Sequence, residues 1–511
     1  METRETSLRK NTRGAEVYSD THTEYILPDY LGEIKKILTS SAEIRPAAKY
    51  SSDDGTESSG IVVYDVLYTD SEGKLSSASF TSDYDLTLPR IEGGESMCLD
   101  SRIVNFAIRP AGPRKLSAHA TVAASDIVSV AEQTAPEGTA FAEGREPELL
   151  TEDIELLCAH ESERLERELA ETILRLDGSI SEEVSVISSR AEAECESVSL
   201  SGGEATVKGA VTVYAIIKNG DGEPFLHTHR LPFCETVAHS GEGETFGYAS
   251  VSSLTTSVTP DELGCEIVAS AIVDISVRSL DNLPVKVVTD AYLCECECEN
   301  SYRKLSYTEL NSTARERINH TASLSRGDEG VSGFDELLML VGTPRISVTA
   351  DGDKLSVFGT LKYTGAATSL SDSGERSYMP LKLEFPIEEK ISLDAPISDG
   401  AKIEVRATCL RPTLTLDSEC MHFNSVLDIS FVITEDKSVT VLEYSMAGES
   451  REAHSAAVVT VYYPEPTDTL FSVARAHHTR VAKLAHDNSL TESVMAGGDG
   501  TLAGVKKLII Y

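Results

Sequence analysis

The sequence predicts a mainly β protein with accessory helices, built from three antiparallel β-rich, sandwich- or barrel-like repeats. Three observations lead there. Strand-like runs recur at one spacing, turn residues separate them, and the composition can fill buried cores. Apolar residues make up 41% of the 511 residues. Glycine brings the share to about 48%, inside the globular range. At roughly 100–200 residues per domain, the length fits about three or four domains.

The repeat rests on three markers. Gly60-Ile-Val-Val-Tyr-Asp-Val-Leu-Tyr68 resembles Gly209-Ala-Val-Thr-Val-Tyr-Ala-Ile-Ile217 and, more faintly, Gly359-Thr-Leu-Lys-Tyr363; the glycines are 149 and 150 residues apart. Phe80, Phe233 and Phe385 each close the following strand, at intervals of 153 and 152 residues. The third marker is an alternating run: Leu116 to Val122, Glu266 to Val277, and His422 to Ile433. Val211, Val213, Ala215 and Ile217 alternate along a mostly buried strand. Asn219-Gly220-Asp221-Gly222 is a strong hairpin signal, and Glu72-Gly73 and Asp351-Gly352 mark turns in the other copies.

Short helical leaders are expected before the first two strands. Leu31, Ile34 and Leu38 share a helical face, and Ser181 to Ile187 occupies the equivalent place. The longest predicted helix, about Thr151 to Leu176, falls between copies one and two. Thr151 is a plausible N-cap, with Glu152 and Asp153 in the first turn. Ile154, Leu157, Leu165, Leu169, Ile173 and Leu176 form an interrupted stripe, and Glu163/Arg167 and Glu171/Arg175 have i,i+4 spacing. A packed linker is the simpler expectation for it, a partner-binding helix the sharper one.

The leaders, the glycine-bearing strand and Val288-Thr-Asp-Ala-Tyr292 with the alternating residues after it resemble the SPOCS domain of spore-coat morphogenetic proteins, the SipL type. The tail, Val461-Tyr-Tyr-Pro464-Glu-Pro-Thr467-Asp468-Thr469-Leu470-Phe471-Ser472-Val473-Ala474, resembles the opening of a LysM module. Asn488-Ser489-Leu490 and Gly504-Val-Lys-Lys-Leu508-Ile509-Ile510 resemble its later turns. The resemblance implies a β-α-α-β order over about 50 residues. Two departures stand out: Thr467 takes the place of the family's glycine, so the turn should shift, and Thr491 to Thr501 is a Gly-rich insertion. The expected organisation is then 20–130, repeat one; 146–178, an acidic linker helix; 180–310, repeat two; 332–445, a divergent repeat three; and 458–511, the LysM-like module.

Charge narrows the function. The chain has 45 basic and 83 acidic residues, a net charge of −38. Such a chain repels phosphate, so nucleic acid and anionic membrane surfaces are poor partners. No run approaches the ~20 apolar residues of a membrane span, and no export signal is visible, so a cytoplasmic chain without membrane insertion is expected. The charge is uneven. Residues 131–200 hold nineteen acids and five bases, whereas residues 460–511 hold five of each.

Catalytic signatures are missing from this reading. There is no Gly-x-Ser-x-Gly elbow, Walker loop or His-Glu-x-x-His. Gly241-Glu-Gly243-Glu-Thr-Phe-Gly247 has the wrong spacing for a nucleotide loop, and its glutamates repel phosphate. The ten cysteines form no CxxC pair and read as reduced, mostly buried thiols. Cys294, Cys296 and Cys298 would share one strand face, a poor geometry for a disulfide or a tetrahedral zinc. His227 and His229 could clamp a metal, but no further ligand is implied; His477-His478 reads as ordinary helix packing. Asn311-Ser-Thr and Asn319-His-Thr fit a glycosylation pattern that matters only in an exported chain. No catalytic residue, metal or cofactor is therefore expected.

The expected function is a non-enzymatic scaffold. By resemblance it works in spore coat assembly, on the mother-cell side of the forespore surface, and docks a coat morphogenetic protein through its tail. Asp468, Thr469, Leu470, Phe471, Asn488 and Leu490 are expected to line the docking groove. The competing class is a cell-wall protein whose same groove holds N-acetylglucosamine of peptidoglycan. A hydrolase would need a pocket of convergent, perturbed carboxylates.

Overall fold

Each copy of the repeat is a sandwich of two antiparallel sheets. The computed structural model describes residues 7–51, 55–90, 94–133, 146–220, 222–326, 334–371, 375–393, 396–398, 400–417, 419–450, 459–490, 502 and 505–511. Domain 1 runs through β1 (Ser7–Arg13), β2 (Val17–Ile26), β3 (Ile34–Ser51), β4 (Gly55–Asp70), β5 (Leu75–Pro89), β6 (Gly94–Gly112) and β7 (Lys115–Gln133). Strands β3-β4-β5 make one sheet; in the other, β7 pairs with β6 on one side and with β2 and then β1 on the other. Alternation fixes which side chains meet. Val62, Tyr64, Val66 and Tyr68 of β4 face Leu116, Ala118, Ala120 and Val122 of β7, large against small.

Domain 2 repeats this plan with β8 (Glu148–Glu161), β9 (Leu165–Asp177), β10 (Val184–Ser201), β11 (Glu204–Asn219), β12 (Phe225–Ala238), β13 (Glu244–Asp261) and β14 (Gly264–Tyr292). Here β14 pairs with β9 and then β8, as β7 pairs with β2 and then β1. Domain 3 has β15 (Cys296–Ser325), β16 (Phe334–Asp351), β17 (Lys354–Leu370), β18 (Arg376–Ser392), β19 (Lys402–Leu416) and β20 (Cys420–Ser450). In it one uninterrupted strand, β15, does the work of the split pair; it carries three register shifts against β20, the last between Leu310 and Ser312.

The recurring glycines explain themselves. Gly60, Gly209 and Gly359 sit on the middle strands β4, β11 and β17. A Cβ at Gly209 would run into the Glu194 carbonyl and the Phe233 ring; at Gly60 it would meet the Arg45 carbonyl and Tyr84, and at Gly359 the Arg345 carbonyl. The neighbouring backbone is simply too close for a side chain. The phenylalanine marker is looser. Phe233 lies opposite Gly209, Phe385 opposite Leu361 and Phe80 opposite Tyr64. Each slip is an even number of residues, so every ring still faces its core.

The sheets β3-β4-β5, β10-β11-β12 and β16-β17-β18 close a ring with pseudo-threefold order. Strand β5 lies against β10, β12 against β16, and β18 against β3. Leu67, Ile216 and Ala366 meet in the central cluster with Leu38, Leu75, Leu338 and Met339. Those three residues are 149 and 150 positions apart, the spacing of the glycines. Arg190 lies half-buried beside this hub. It pairs with Glu192, donates to the Leu340 carbonyl at 3.2 Å, and stacks 5.0 Å from the Tyr214 ring centroid.

Strands β14 and β20 overshoot their sandwiches and form arms. Ile154, Leu156, Val285 and Val287 on one arm pack on Leu305, Tyr307, Val439 and Val441 on the other. The tail follows with β21 (Thr460–Tyr462), α1 (Leu470–Ala476), α2 (Val481–Asp487) and β22 (Leu508–Ile510), and β21 pairs antiparallel with β22. This is the expected β-α-α-β order, and it holds the only two α-helices among the described residues.

The 146–178 linker helix is a correction: the segment is β8 and β9, edge strands of domain 2. Leu165, Leu169 and Ile173 are four apart, which suits one face of a strand as well as a helix. Their partner is the buried run Ile267, Ala269, Ala271, Val273 of β14. The presumed i,i+4 partners separate, so that Arg167 reaches Glu235 at 3.0 Å and Arg175 reaches Glu266 at 2.7 Å. The helical leaders are also absent. Pro28 to Leu31 is a turn, and β3 begins at Ile34; Ser181 to Glu183 is a turn before β10. Likewise, residues 296–310 belong to the sheet of domain 3 rather than to repeat two. The charge of residues 131–200 thus falls largely on edge strands, where like charges discourage strand addition.

Candidate functional site

The C-terminal module is the place where the sequence put the docking groove. Its turn into α1 is built without glycine. Asp468 Oδ2 accepts from the Glu465 amide at 2.8 Å and from the Tyr462 hydroxyl at 2.7 Å. These bonds hold the Asp468 carboxyl below the usual carboxylate range, the backbone amide first and the phenol second. Thr467 is not among the residues with positive φ. Thr469 is the N-cap, accepting from the Ser472 amide at 3.0 Å while Ser472 Oγ accepts from the Thr469 amide at 3.0 Å, a reciprocal capping box. Both helices end in a left-handed residue, His478 (φ 53°) and Ser489 (φ 50°).

The six expected groove residues separate into two kinds. Asp468 and Thr469 are half-buried and hold the turn together. Leu470 and Phe471 are buried, at 3% and 7% exposure, inside the module's core. Asn488 clamps α2 to β22: its Nδ2 donates to the Leu484 and Ile509 carbonyls, and its Oδ1 accepts from the Ile509 amide. Leu490 packs on the edge of the same core. Structure thus absorbs most of their contact capacity. The insertion Thr491 to Thr501, and Gly504, lie outside the described residues.

Phe471 also fastens the module to domain 2. Its ring meets Tyr292, at the end of β14, edge to face with centroids 5.1 Å apart. The Tyr292 hydroxyl donates to the Thr479 carbonyl at 2.8 Å, Arg475 pairs with Asp290, and Arg480 reaches Glu146 at 3.1 Å. Burial, with Glu148 second, pushes the Tyr292 phenol well above its ordinary pKa. Sequence reasoning missed this latch because its halves are about 180 to 330 residues apart.

The face that remains open is the outer side of β21 and β22. Alternation buries Leu508 and Ile510 against the helices and turns Val461 and Ile509 outward. Val459 (55% exposed), Val461 (49%), Tyr463 (70%) and Tyr511 (64%) flank or lie on this small sheet. Four large apolar side chains on so short a ribbon make a contiguous patch of the kind used for protein contacts.

The other chemical candidates resolve as follows. His227 Nε2 lies 2.8 Å from the Ile173 carbonyl, and His229 lies 3.6 Å from Glu171. The His477 ring packs edge-on against Tyr462. Cys296 is buried, Cys294 and Cys298 are half-buried, and all three are free thiols. A cleft of about 610 Å³ opens between domains 1 and 2, lined by Asp70, Glu72, Lys74 and Arg114 among others. Asp70 Oδ1 accepts from the Glu72 and Lys74 amides, and the Lys74 ammonium, 2.7 Å away, holds the Glu72 carboxyl below its usual range. These carboxylates shape a turn and a surface ion pair. Among the described residues, one group of side chains is close enough to share a metal ion: Cys158, His160 and Asp281. No helix of the described residues is long and apolar enough to cross a membrane. Comparison of the chain with known protein families, curated proteins and solved structures finds no match.

Proposed function

We propose that this protein is a non-enzymatic assembly scaffold that docks a partner protein through its C-terminal module. The observation that carries the reading is the exposed apolar ribbon of Val459, Val461, Tyr463 and Tyr511 on a module anchored to domain 2. A closed ring of three sandwiches supplies a stiff base, and the charge division helps. The scaffold is acidic and self-repelling, and the module, with equal acids and bases, can approach a partner without that repulsion. The resemblance to SPOCS and LysM proteins gives the setting, spore coat assembly at the forespore surface, with a coat morphogenetic protein as the partner.

The docking surface proposed is the ribbon rather than the turn of Asp468 to Phe471, because the turn's groups are spent on the module's own fold. The test uses the full chain, since Phe471 is seated on domain 2. A fluorescent fusion followed through sporulation should gather at the forespore surface. Truncation after residue 454, or Val461→Asp with Tyr463→Asp, should leave it diffuse. Diffuse signal from the intact fusion at all stages sinks the coat reading. Sedimentation of the full chain with peptidoglycan, competed by N-acetylglucosamine, would favour the glycan-binding alternative instead.

A further inference from the structure

Beside the root of the domain 2 arm, three side chains with different donor atoms converge. Cys158 and His160 are two apart on β8 and so share a face; Asp281 of β14 lies directly across from Cys158. Cys158 Sγ is 3.3 Å from His160 Nε2, and the ligand atoms of all three residues lie within 4.8 Å of one another. Ligands at about 2.3 Å (sulfur) and 2.0–2.1 Å (nitrogen) on a tetrahedral zinc stand about 3.5 Å apart. The Cys158–His160 separation already matches that value, and the Asp281 carboxylate, within 4.8 Å of both, has at most a short way to move.

Two further observations point to a cation site. Asp281 Oδ1 is buried and has no hydrogen-bond partner. At the comparable place in domain 3, just past the register shift, Glu309 and Glu435 face each other across the strands. There the chain supplies its own cation, with Lys437 Nζ 2.6 Å from Glu309 and 3.7 Å from Glu435. Domain 2 has no ammonium among these residues. The site is also roofed. The Gly241-Glu-Gly243 loop closes over it so tightly that a Cβ at Gly241 would sit 2.9 Å from His160 Cβ, and one at Gly243 would sit 2.6 Å from Asp281 Cβ. His239, 5% exposed, enters the same roof, with Nε2 2.6 Å from Ser279 Oγ and Nδ1 unpartnered.

We propose that Cys158 Sγ, His160 Nε2 and Asp281 bind one zinc ion, leaving the fourth tetrahedral position to water. A thiolate and a carboxylate carry two negative charges, which a divalent cation balances; an imidazole with a thiolate selects zinc over calcium or magnesium. Binding releases the Cys158 proton to solvent. The thiolate is then a ligand held by the metal and the roof.

The test is a zinc titration of the chelator-stripped full chain against a chromophoric competitor. One equivalent should bind. Cys158→Ser and His160→Ala should each weaken binding by at least the about 10–100-fold that loss of even a supporting residue costs. The variant lacking Cys294, Cys296 and Cys298 should bind as the wild type does. A second readout needs no variant: zinc should protect Cys158 from alkylation, mapped by mass spectrometry, and leave exposed Cys234 reactive. No zinc held against the competitor, equal binding by Cys158→Ser and His160→Ala, or alkylation of Cys158 at the same rate with and without zinc would each overturn the proposal.

Discussion

Domains 2 and 3 build the same sandwich and finish it differently. In domain 3 a single strand, β15, runs the whole length of β20. In domain 2 the corresponding edge is split into β8 and β9, and the chain leaves the sheet between Glu161 and Leu165. The arms end differently too. Tyr292 of domain 2 is covered by the C-terminal module, whereas Tyr444 and Met446 of domain 3 stay 41% and 45% exposed. Near the arm roots, domain 3 balances its acids with Lys437, and domain 2 leaves Asp281 Oδ1 without a partner. The shared parts are those that backbone packing demands. The differing parts are those that add a contact or a charge, and domain 2 has gathered them.

The largest expected effect tests the shared part. Gly209→Val and Gly359→Val each force a side chain into a neighbouring carbonyl. Each should cost its domain more than about 3 kcal/mol, read as loss of hydrogen-exchange protection in that domain. If either is tolerated, the close approach is not what the repeat preserves. The next tests the arm ends. Tyr292→Ala removes a buried ring and should loosen the module by about 3 kcal/mol, read by exchange in α1 and α2. Tyr444→Ala should stay within about 0.5 kcal/mol.

A smaller effect tests the arm roots. Lys437→Met leaves Glu309 and Glu435 facing each other and should cost about 1 kcal/mol. Without zinc, Asp281→Asn should be neutral or stabilising by up to about 1 kcal/mol, because it removes a carboxylate with an unpartnered oxygen. Urea unfolding of each arm checks both. A destabilised apo Asp281→Asn would show that domain 2 already pairs this charge. The smallest effect belongs to the β19–β20 hairpin. His422, then the Cys420 and Glu419 amides, hold Asp417 down to about 2. A depressed folded pKa stabilises above the unfolded value of about 3.9. That support should fade as pH falls from there toward 2, followed by the Asp417 carboxyl shift in NMR. A midpoint near 4 would show that the turn is not held by this carboxylate.

Much of the domain plan was legible because strand alternation and close backbone approach leave local marks. The three glycines, the three alternating runs and the turn signals all fall where the sheets need them. The metal-site candidate was not legible for a specific reason. Cys158 and His160 are two residues apart, which places them together on a strand and apart on a helix. The Glu-, Leu- and Arg-rich stretch around them has high helix propensity. Assigning it to a helix dispersed the pair and hid Asp281 as its neighbour. The same misreading turned an acidic edge into an acidic linker.

By itself, the sequence determined the mainly β class, the period near 150 residues and the division of charge. These depend on short-range patterning and on sums over residues. The tertiary structure alone decided that residues 148–177 are strands, since their period-four leucines suit either state and β14 supplied the partner. It also decided that Phe471 is spent on Tyr292, and that Cys158, His160 and Asp281 meet. Such contacts join residues up to about 180 positions apart, and only the folded register brings them within reach.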